Sequence, residues 1–266
     1  MRKLIIEFLI IVVVLVSVKF ILSKIDWMTI FNVEKRTQKT EEKIGDLFWN
    51  LLKKSETEIT ADSILSPIDS MITRICTKNG IARAGIKIHL LWKSEVNAFA
   101  LPNNHLIVYS DLINACENES ELCGVLSHEL AHIEKNHIMN KLVKDVGLSV
   151  LISMTTGNGN SEVIRETIKH LSSTAYDRSL ESEADKTATE YLIKANIDPE
   201  PFANFLYRLA AKDGLPDNLN WLNTHPDSKE RAEKIIATIK NKELKKIPVI
   251  SNQGWIQLKK LIAAQQ

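Results

Sequence analysis

The sequence predicts an α+β, mainly helical domain with a small antiparallel sheet, preceded by one N-terminal transmembrane helix. Three observations lead there. Apolar residues recur at three- and four-residue spacing through most of the chain. Alternating segments with a turn signal fall between residues 86 and 109. An apolar run opens the sequence.

At 266 residues, with 44% hydrophobic and 25% charged side chains, the chain has ordinary globular composition and room for one sizeable domain. Its net charge of +1 provides no field to gather nucleic acid. The one basic run, Lys240–Lys246, reads as a solvated tail, so no nucleic-acid partner is expected. Cys76, Cys116 and Cys123 are an odd set without a CxxC pair. A Cys116–Cys123 bridge and a set of small buried thiols are both open.

Arg2 and Lys3 precede the apolar stretch Leu4–Leu22, interrupted by Glu7, Ser17 and Lys19. A helix needs roughly 20 such residues to cross a bilayer. A cleaved signal sequence shares the basic start, but no pair of small residues follows at a cleavage spacing, which favours a retained anchor over residues 1–25. The basic start keeps the N-terminus cytoplasmic and exports the rest, membrane-anchored, or secreted or periplasmic if the segment is cut. Residues 26–43 read as a linker, 44–240 as the main domain and 241–266 as a C-terminal tail.

Ile44, Leu47, Phe48, Leu51 and Leu52 mark an amphipathic helix, and Ser55–Pro67 reads as turn-like. Ile68–Thr77 forms a second helix. Ile86–Trp92 alternates as a strand, and Val96–Ala100 follows as another. Pro102-Asn103-Asn104 is a turn, because Asn tolerates left-handed backbone, and His105–Tyr109 returns as a hairpin partner. Beyond Asp111 the chain is helical. Asn118 or Ser120 caps a helix through Leu122, Leu126, Leu130 and Ile133. Lys141–Met154 is another; its apolar Val146–Met154 part is too short to span a membrane and reads as a buried helix, or as a lid or membrane-dipping element. Thr155–Asn160 is a flexible-looking loop. Helices follow over Ser161–His170 and Ser179–Ala195, then connections marked by Pro199, Pro201, Pro216 and Pro226.

The chemistry concentrates on His128-Glu-Leu-Ala-His132. Residues four apart on a helix share a face, so both imidazoles can reach one metal ion. Imidazole suits zinc, and a catalytic zinc takes three protein ligands with one position left for water. Glu129 lies between the histidines, where a carboxylate can take a proton from that water. Candidates for a third ligand come from Ser179-Leu-Glu-Ser-Glu-Ala-Asp185. Glu181 and Asp185 are four apart, so one can bind metal while the other hydrogen-bonds the free nitrogen of a ligand histidine. Glu183 faces elsewhere. His137 lies about 180° from His128 on an ideal helix and is read as structural or as support for a ligand. His89 and His105 read as surface or core residues, and His170 has no partner in sequence. His225, before Pro226 and six residues ahead of Arg231, could help donate hydrogen bonds to an oxyanion or be an ordinary loop residue.

These residues together resemble the gluzincins of the CAAX prenyl protease family, whose members include HtpX, BepA and Oma-type proteases. The resemblance rests on HELAH, Glu181-Ser-Glu-Ala-Asp185, Thr224-His-Pro226, Val96–Pro102 and Tyr176-Asp-Arg178, across about Ile44 to Ala237. It implies a zincin-like metallopeptidase domain with one zinc held by His128, His132 and Glu181. Glu129 would be the general base and Asp185 would orient a ligand histidine. His225 would steady the transition state or cover the metal at rest, with Arg231 beside it. Val96, Asn97, Ala98, Phe99 and Ala100 would form the edge where an extended substrate adds as a strand. Pro102-Asn103-Asn104 departs from the family's Pro-Gly-Gly. A single span argues against prenylated substrates and places the chain nearer the small envelope members. The expected activity is zinc endopeptidase cleavage of unfolded or damaged proteins in envelope quality control. The alternative is a zinc protein acting as a chaperone or adaptor on exposed strands. The oligomeric state stays open.

Overall fold

The computed structural model describes residues 33–156, 160–211 and 220–264. The expected span Leu4–Leu22 and part of the loop after Thr155 lie outside them. No helix among the described residues is long and apolar enough to cross a membrane. The first turns of α1 (Val33–Ser55) run up to Thr40, and the residues from Glu41 onward form one compact unit. The helical repeat read from Ile44 to Leu52 therefore extends at both ends.

After β1 (Thr57–Glu58) comes α2 (Asp62–Asn79), which begins ahead of Pro67 rather than after it. Proline removes one intrahelical hydrogen bond. The buried face of Ile64, Ile68, Met71, Ile72 and Ile75 keeps the helix continuous through that loss. A 3₁₀ turn (Arg83–Gly85) leads to β2 (Lys87–Trp92), β3 (Ala98–Leu101) and β4 (His105–Tyr109). The β3–β4 hairpin is antiparallel, and Asn103 and Asn104 both take left-handed backbone in its turn.

The sheet is mixed, in the order β1-β2-β4-β3, which corrects the expected antiparallel arrangement. β4 pairs with β2 in parallel, Lys87 opposite His105, and β1 adds antiparallel on the outer side of β2. Alternation identifies a strand but carries no information on its neighbours. Here the chain after Trp92 moves to the far edge before turning back, so the hairpin inserts β4 beside β2.

The helices then follow: α3 (Ser110–Ala115), α4 (Glu119–Glu134), α5 (His137–Asp145), α6 (Leu148–Thr155), α7 (Ser161–Ser173), α8 (Arg178–Lys194), α9 (Glu200–Ala211), α10 (Asn220–Thr224), α11 (Ser228–Ile239) and α12 (Asn252–Ala263). The helix expected over Lys141–Met154 is two, because Gly147 at φ 91 breaks it. Leu151 and Met154 of α6 are buried while Leu148, Val150 and Ile152 are exposed, so α6 is not the wholly buried helix that its composition suggests. The three cysteines are buried free thiols.

Helix α4 is the centre of the domain and is capped by Asn118, whose side chain accepts from the Glu121 N–H. Nearly all of α4 is buried, between α8, α9 and β3. Gly124 makes the α9 approach possible: a Cβ there would lie 2.3 Å from Phe202. Helix α12 belongs to the same core through Trp255, Leu258 and Ile262, and Lys259 donates to the Asn114 and Cys116 carbonyls at the end of α3.

Candidate metal centre

Four side chains from three parts of the fold converge at one point. His128 and His132 extend from α4, Glu181 from the first turn of α8, and His225 from the residue after α10. One ligand atom from each lies within 4.8 Å of all the others, and all four residues are buried. His128 Nε2 is 3.0 Å from His132 Nε2 and 3.2 Å from His225 Nδ1. Glu181 Oε1 is 3.3 Å from His132 Nε2 and 2.9 Å from His225 Nδ1.

The groups behind these atoms decide their protonation. Asp185 Oδ1 is 3.0 Å from His128 Nδ1, and Arg231 donates to both oxygens of Asp185 at 2.7 and 2.8 Å. Burial alone would raise the Asp185 pKa, but the Arg231 guanidinium and His128 hold it below the usual carboxylate range. An ionised carboxylate only accepts hydrogen bonds, so His128 carries its proton on Nδ1 and turns a bare lone pair on Nε2 inward. Burial also pushes His128 down to about 3, so this ring is neutral. Glu181 is held well below its ordinary value: burial opposes ionisation, and His225, Arg231 and His128 outweigh it.

These residues fit a divalent metal ion on two grounds. Lone pairs facing one another at 3.0 Å repel unless a cation lies between them, and about 3.3 Å separates the corners of a tetrahedral site with ~2.0 Å bonds. Charge agrees: Glu129, Glu181 and Asp185 are buried acids, and Arg231 is the permanent cation in contact with Glu181 and Asp185. Glu181 Oε2 lies 3.0 Å from Arg231 Nη1 and His225 Nε2 lies 3.4 Å from Glu129 Oε1, without hydrogen-bond geometry in either case.

Glu129 stands beside the donor set. Its Oε1 accepts from Trp221 Nε1 at 3.3 Å and lies 3.4 Å from His225 Nε2. Burial raises its pKa to about 7, partly offset by His132 and the Trp221 bond. Trp221 was absent from the residues expected at the site. Its signal is the i, i+4 spacing to His225, which places both rings on one side of α10, 4.5 Å apart. Tyr176 is a second addition; it stacks on His132 at 4.2 Å and donates its backbone N–H to the Thr224 carbonyl.

Arg231 is 4% exposed, holds Asp185, and donates to the His225 carbonyl at 3.0 Å. It contacts both Glu181 and Asp185 in the described conformation. Glu183 points outward and pairs with Lys135 at 3.3 Å. His137 does not point away from the centre: α4 ends at Glu134, Asn136 takes left-handed backbone, and the chain turns His137 back to lie 3.0 Å from His132 Nδ1. Extrapolating an ideal helix past its end gave the wrong side. His170 has a partner, Asp145, at 2.9 Å. The strand residues Val96 to Ala100 are all buried, with the Val96 carbonyl accepting from the Trp221 N–H and Asn97 donating to Ser172.

The sequence is similar to known metallopeptidases. The chain is similar to the beta-barrel assembly-enhancing protease of Yersinia pestis, 24% identical over 233 residues, 81% of this chain and 47% of the relative. It is 30% identical over 172 residues to the mitochondrial metalloendopeptidase OMA1 of Bos taurus, covering 58% of this chain and 32% of that one. Metalloprotease YcaL of Escherichia coli is 30% identical over 164 residues, 59% of this chain and 63% of the relative. The chain thus spans less than two thirds of each. The model of peptidase family M48 matches residues 66–239, the stretch from α2 through α11 that contributes every donor described above, and the chain belongs to that metallopeptidase family.

Proposed function

We propose that this protein is a zinc endopeptidase of unfolded or damaged proteins, anchored to a membrane by Leu4–Leu22 and acting on the exported side in envelope quality control. The observation that carries the peptidase reading is the convergence of His128, His132 and Glu181 on one point, with Glu129 beside it. The sequence from Leu4 to Leu22 and the names of the relatives support the setting.

His128, His132 and Glu181 would hold the ion, and Asp185 and Arg231 would keep His128 and Glu181 in their binding forms. The chemistry that zinc supplies when bound is polarisation of a carbonyl and a lowered pKa for water. Glu129, oriented by Trp221, accepts the proton of the attacking water and returns it to the leaving amine. Burial, which pushes the Glu129 carboxyl up, makes it a better proton acceptor than an exposed carboxylate. The extended peptide would lie along β3, the terminal strand of the sheet, whose residues are buried in the described conformation.

In the described conformation each donor is at most 2% exposed, and His225 Nδ1 occupies a fourth position among them. That favours a resting form over the reading in which His225 steadies a transition state. Peptide entry then requires α10 and His225 to withdraw. The chaperone or adaptor alternative has no use for the buried Glu129.

The test is casein cleavage by the full chain loaded with zinc. Glu129→Gln should lower turnover by about 10²–10⁴-fold with zinc still bound. Cleavage at the wild-type rate would refute the assigned base, and binding of unfolded casein without any cleavage by the wild type would support the adaptor.

A further inference from the structure

The two helix-borne histidines of the centre are supported differently. Behind His128 lies a carboxylate, Asp185, tied to Arg231. Behind His132 lies another imidazole: His137 Nδ1 is 3.0 Å from His132 Nδ1. His137 is 2% exposed, on the first residue of α5, immediately after the left-handed Asn136 that separates it from the helix carrying His132. Five residues separate the two rings, and without the reversal at Asn136 they would not meet.

We propose that His137 is the positioning residue for His132, accepting its Nδ1 proton and thereby fixing Nε2 as the ligand atom and the ring in its plane. The inference rests on the reading that His132 binds metal through Nε2. The proton inventory then follows. A ligand Nε2 offers a lone pair, so His132 has its proton on Nδ1 and donates it. His137 must accept with Nδ1, so its own proton is on Nε2. That nitrogen faces Glu183 Oε2 at 3.5 Å, and Glu183 is held in turn by Lys135 at 3.3 Å. One face of His132 is covered by the Tyr176 ring at 4.2 Å, and the His137 bond at the ring edge fixes the in-plane rotation that stacking leaves free.

A neutral acceptor differs from a carboxylate in kind. It orients the ring and selects the tautomer without adding negative charge behind it. The buried centre already holds three acids, and a fourth behind His132 would have to be taken out of water without a cation to pair it. Glu183 supplies charge from the solvent side of His137, where desolvation is small.

The test uses the full chain, with zinc as probe and a chelator of known affinity as competitor. His137→Phe keeps the volume and removes the acceptor; His137→Asn places a carbonyl oxygen near the position of Nδ1. We expect the Phe variant to bind zinc about 10–100-fold more weakly and Asn to recover most of that loss. A purely structural residue would show no such rescue. Wild-type affinity in the Phe variant, or an equal loss in both, overturns the proposal. Zinc failing to bind the wild type would overturn the metal-site reading itself. If the Phe variant does not fold, nitrogen-15 spectra of the unmodified zinc-loaded chain decide: His137 protonated on Nε2 is the expected result, and protonation on Nδ1 overturns it.

Discussion

Two histidine clusters occur in this domain, and they use the same side chain in opposite ways. At the centre, His128, His132 and His225 aim nitrogens at one point, and the outward nitrogens of His128 and His132 meet Asp185 and His137. On the sheet, His89 of β2 and His105 of β4 lie in a line. His89 Nε2 is 2.8 Å from His105 Nδ1, Glu58 Oε1 stands 3.3 Å beyond one end and Asp46 Oδ1 3.1 Å beyond the other. Trp49 of α1 stacks on His89 at 3.5 Å. In the linear chain two neutral rings can be satisfied by protons alone: His89 Nδ1–H donates to Glu58, His105 Nδ1–H donates to His89 Nε2, and Lys87 Nζ, 3.3 Å from His105 Nε2 and 3.0 Å from Asp46 Oδ1, donates at the far end. In the convergent one the inward lone pairs face each other and need a cation. The direction of the free nitrogens separates a metal site from a structural pair more sharply than the number of histidines does.

The largest effect should follow from removing a convergent donor. Glu181→Gln is expected to abolish stoichiometric zinc, beyond the ~100-fold that loss of an outer partner costs. The double variant His89→Gln, His105→Gln should keep one zinc per chain. Metal analysis of the purified proteins checks both, and zinc lost from the sheet variant would break the distinction. A smaller loss, about 10–100-fold in zinc affinity, is expected for Asp185→Asn, because an amide no longer holds His128 in its Nδ1–H form and leaves Arg231 partly unpaired. Chelator competition measures it, and unchanged affinity would remove Asp185 from the orienting role.

His225 tests which cluster tolerates a vacancy. If it closes the fourth position at rest, His225→Ala should retain zinc and cleave casein faster, by about tenfold for ~1.4 kcal/mol of closure released. A drop in rate with zinc retained would instead favour the transition-state role.

The helix of the candidate metal centre was legible because HExxH compresses its chemistry into one helix face, and the Glu181–Asp185 pair because i, i+4 spacing survives on any helix. The partner relation of β2 and β4 was not legible, since alternation records burial and leaves neighbour order to the loops. The turn at Asn103 and Asn104 was readable from the tolerance of Asn for left-handed backbone, yet the same tolerance at Asn136 was passed over, and with it the return of His137 to His132. His89 and His105 gave no signal at all. They are 16 residues apart and meet because β4 lies parallel to β2, a consequence of the strand order.

The sheet cluster should also show in the pH dependence of stability. Burial is the main cause that lowers His105, to about 4, against a partly compensating bond to Asp46, with Lys87 and His89 lowering it further. His89 is lowered in the same direction, again mainly by burial. A histidine whose folded pKa lies below its unfolded value of about 6.5 binds fewer protons in the folded state between those two values. Its contribution is therefore complete above pH ~6.5 and is lost as pH falls towards 4. Asp46 acts with the same sign, because Lys87 and His105 hold it below its ordinary range. At 1.36 kcal/mol per pKa unit the His105 effect alone is up to about 3 kcal/mol. Melting temperature measured from pH 7 to pH 4 with saturating zinc should fall less steeply for His105→Asn than for the wild type. The two slopes coinciding would mean that the pair is protonated in the folded chain and that Glu58 and Asp46 stabilise the charge after all.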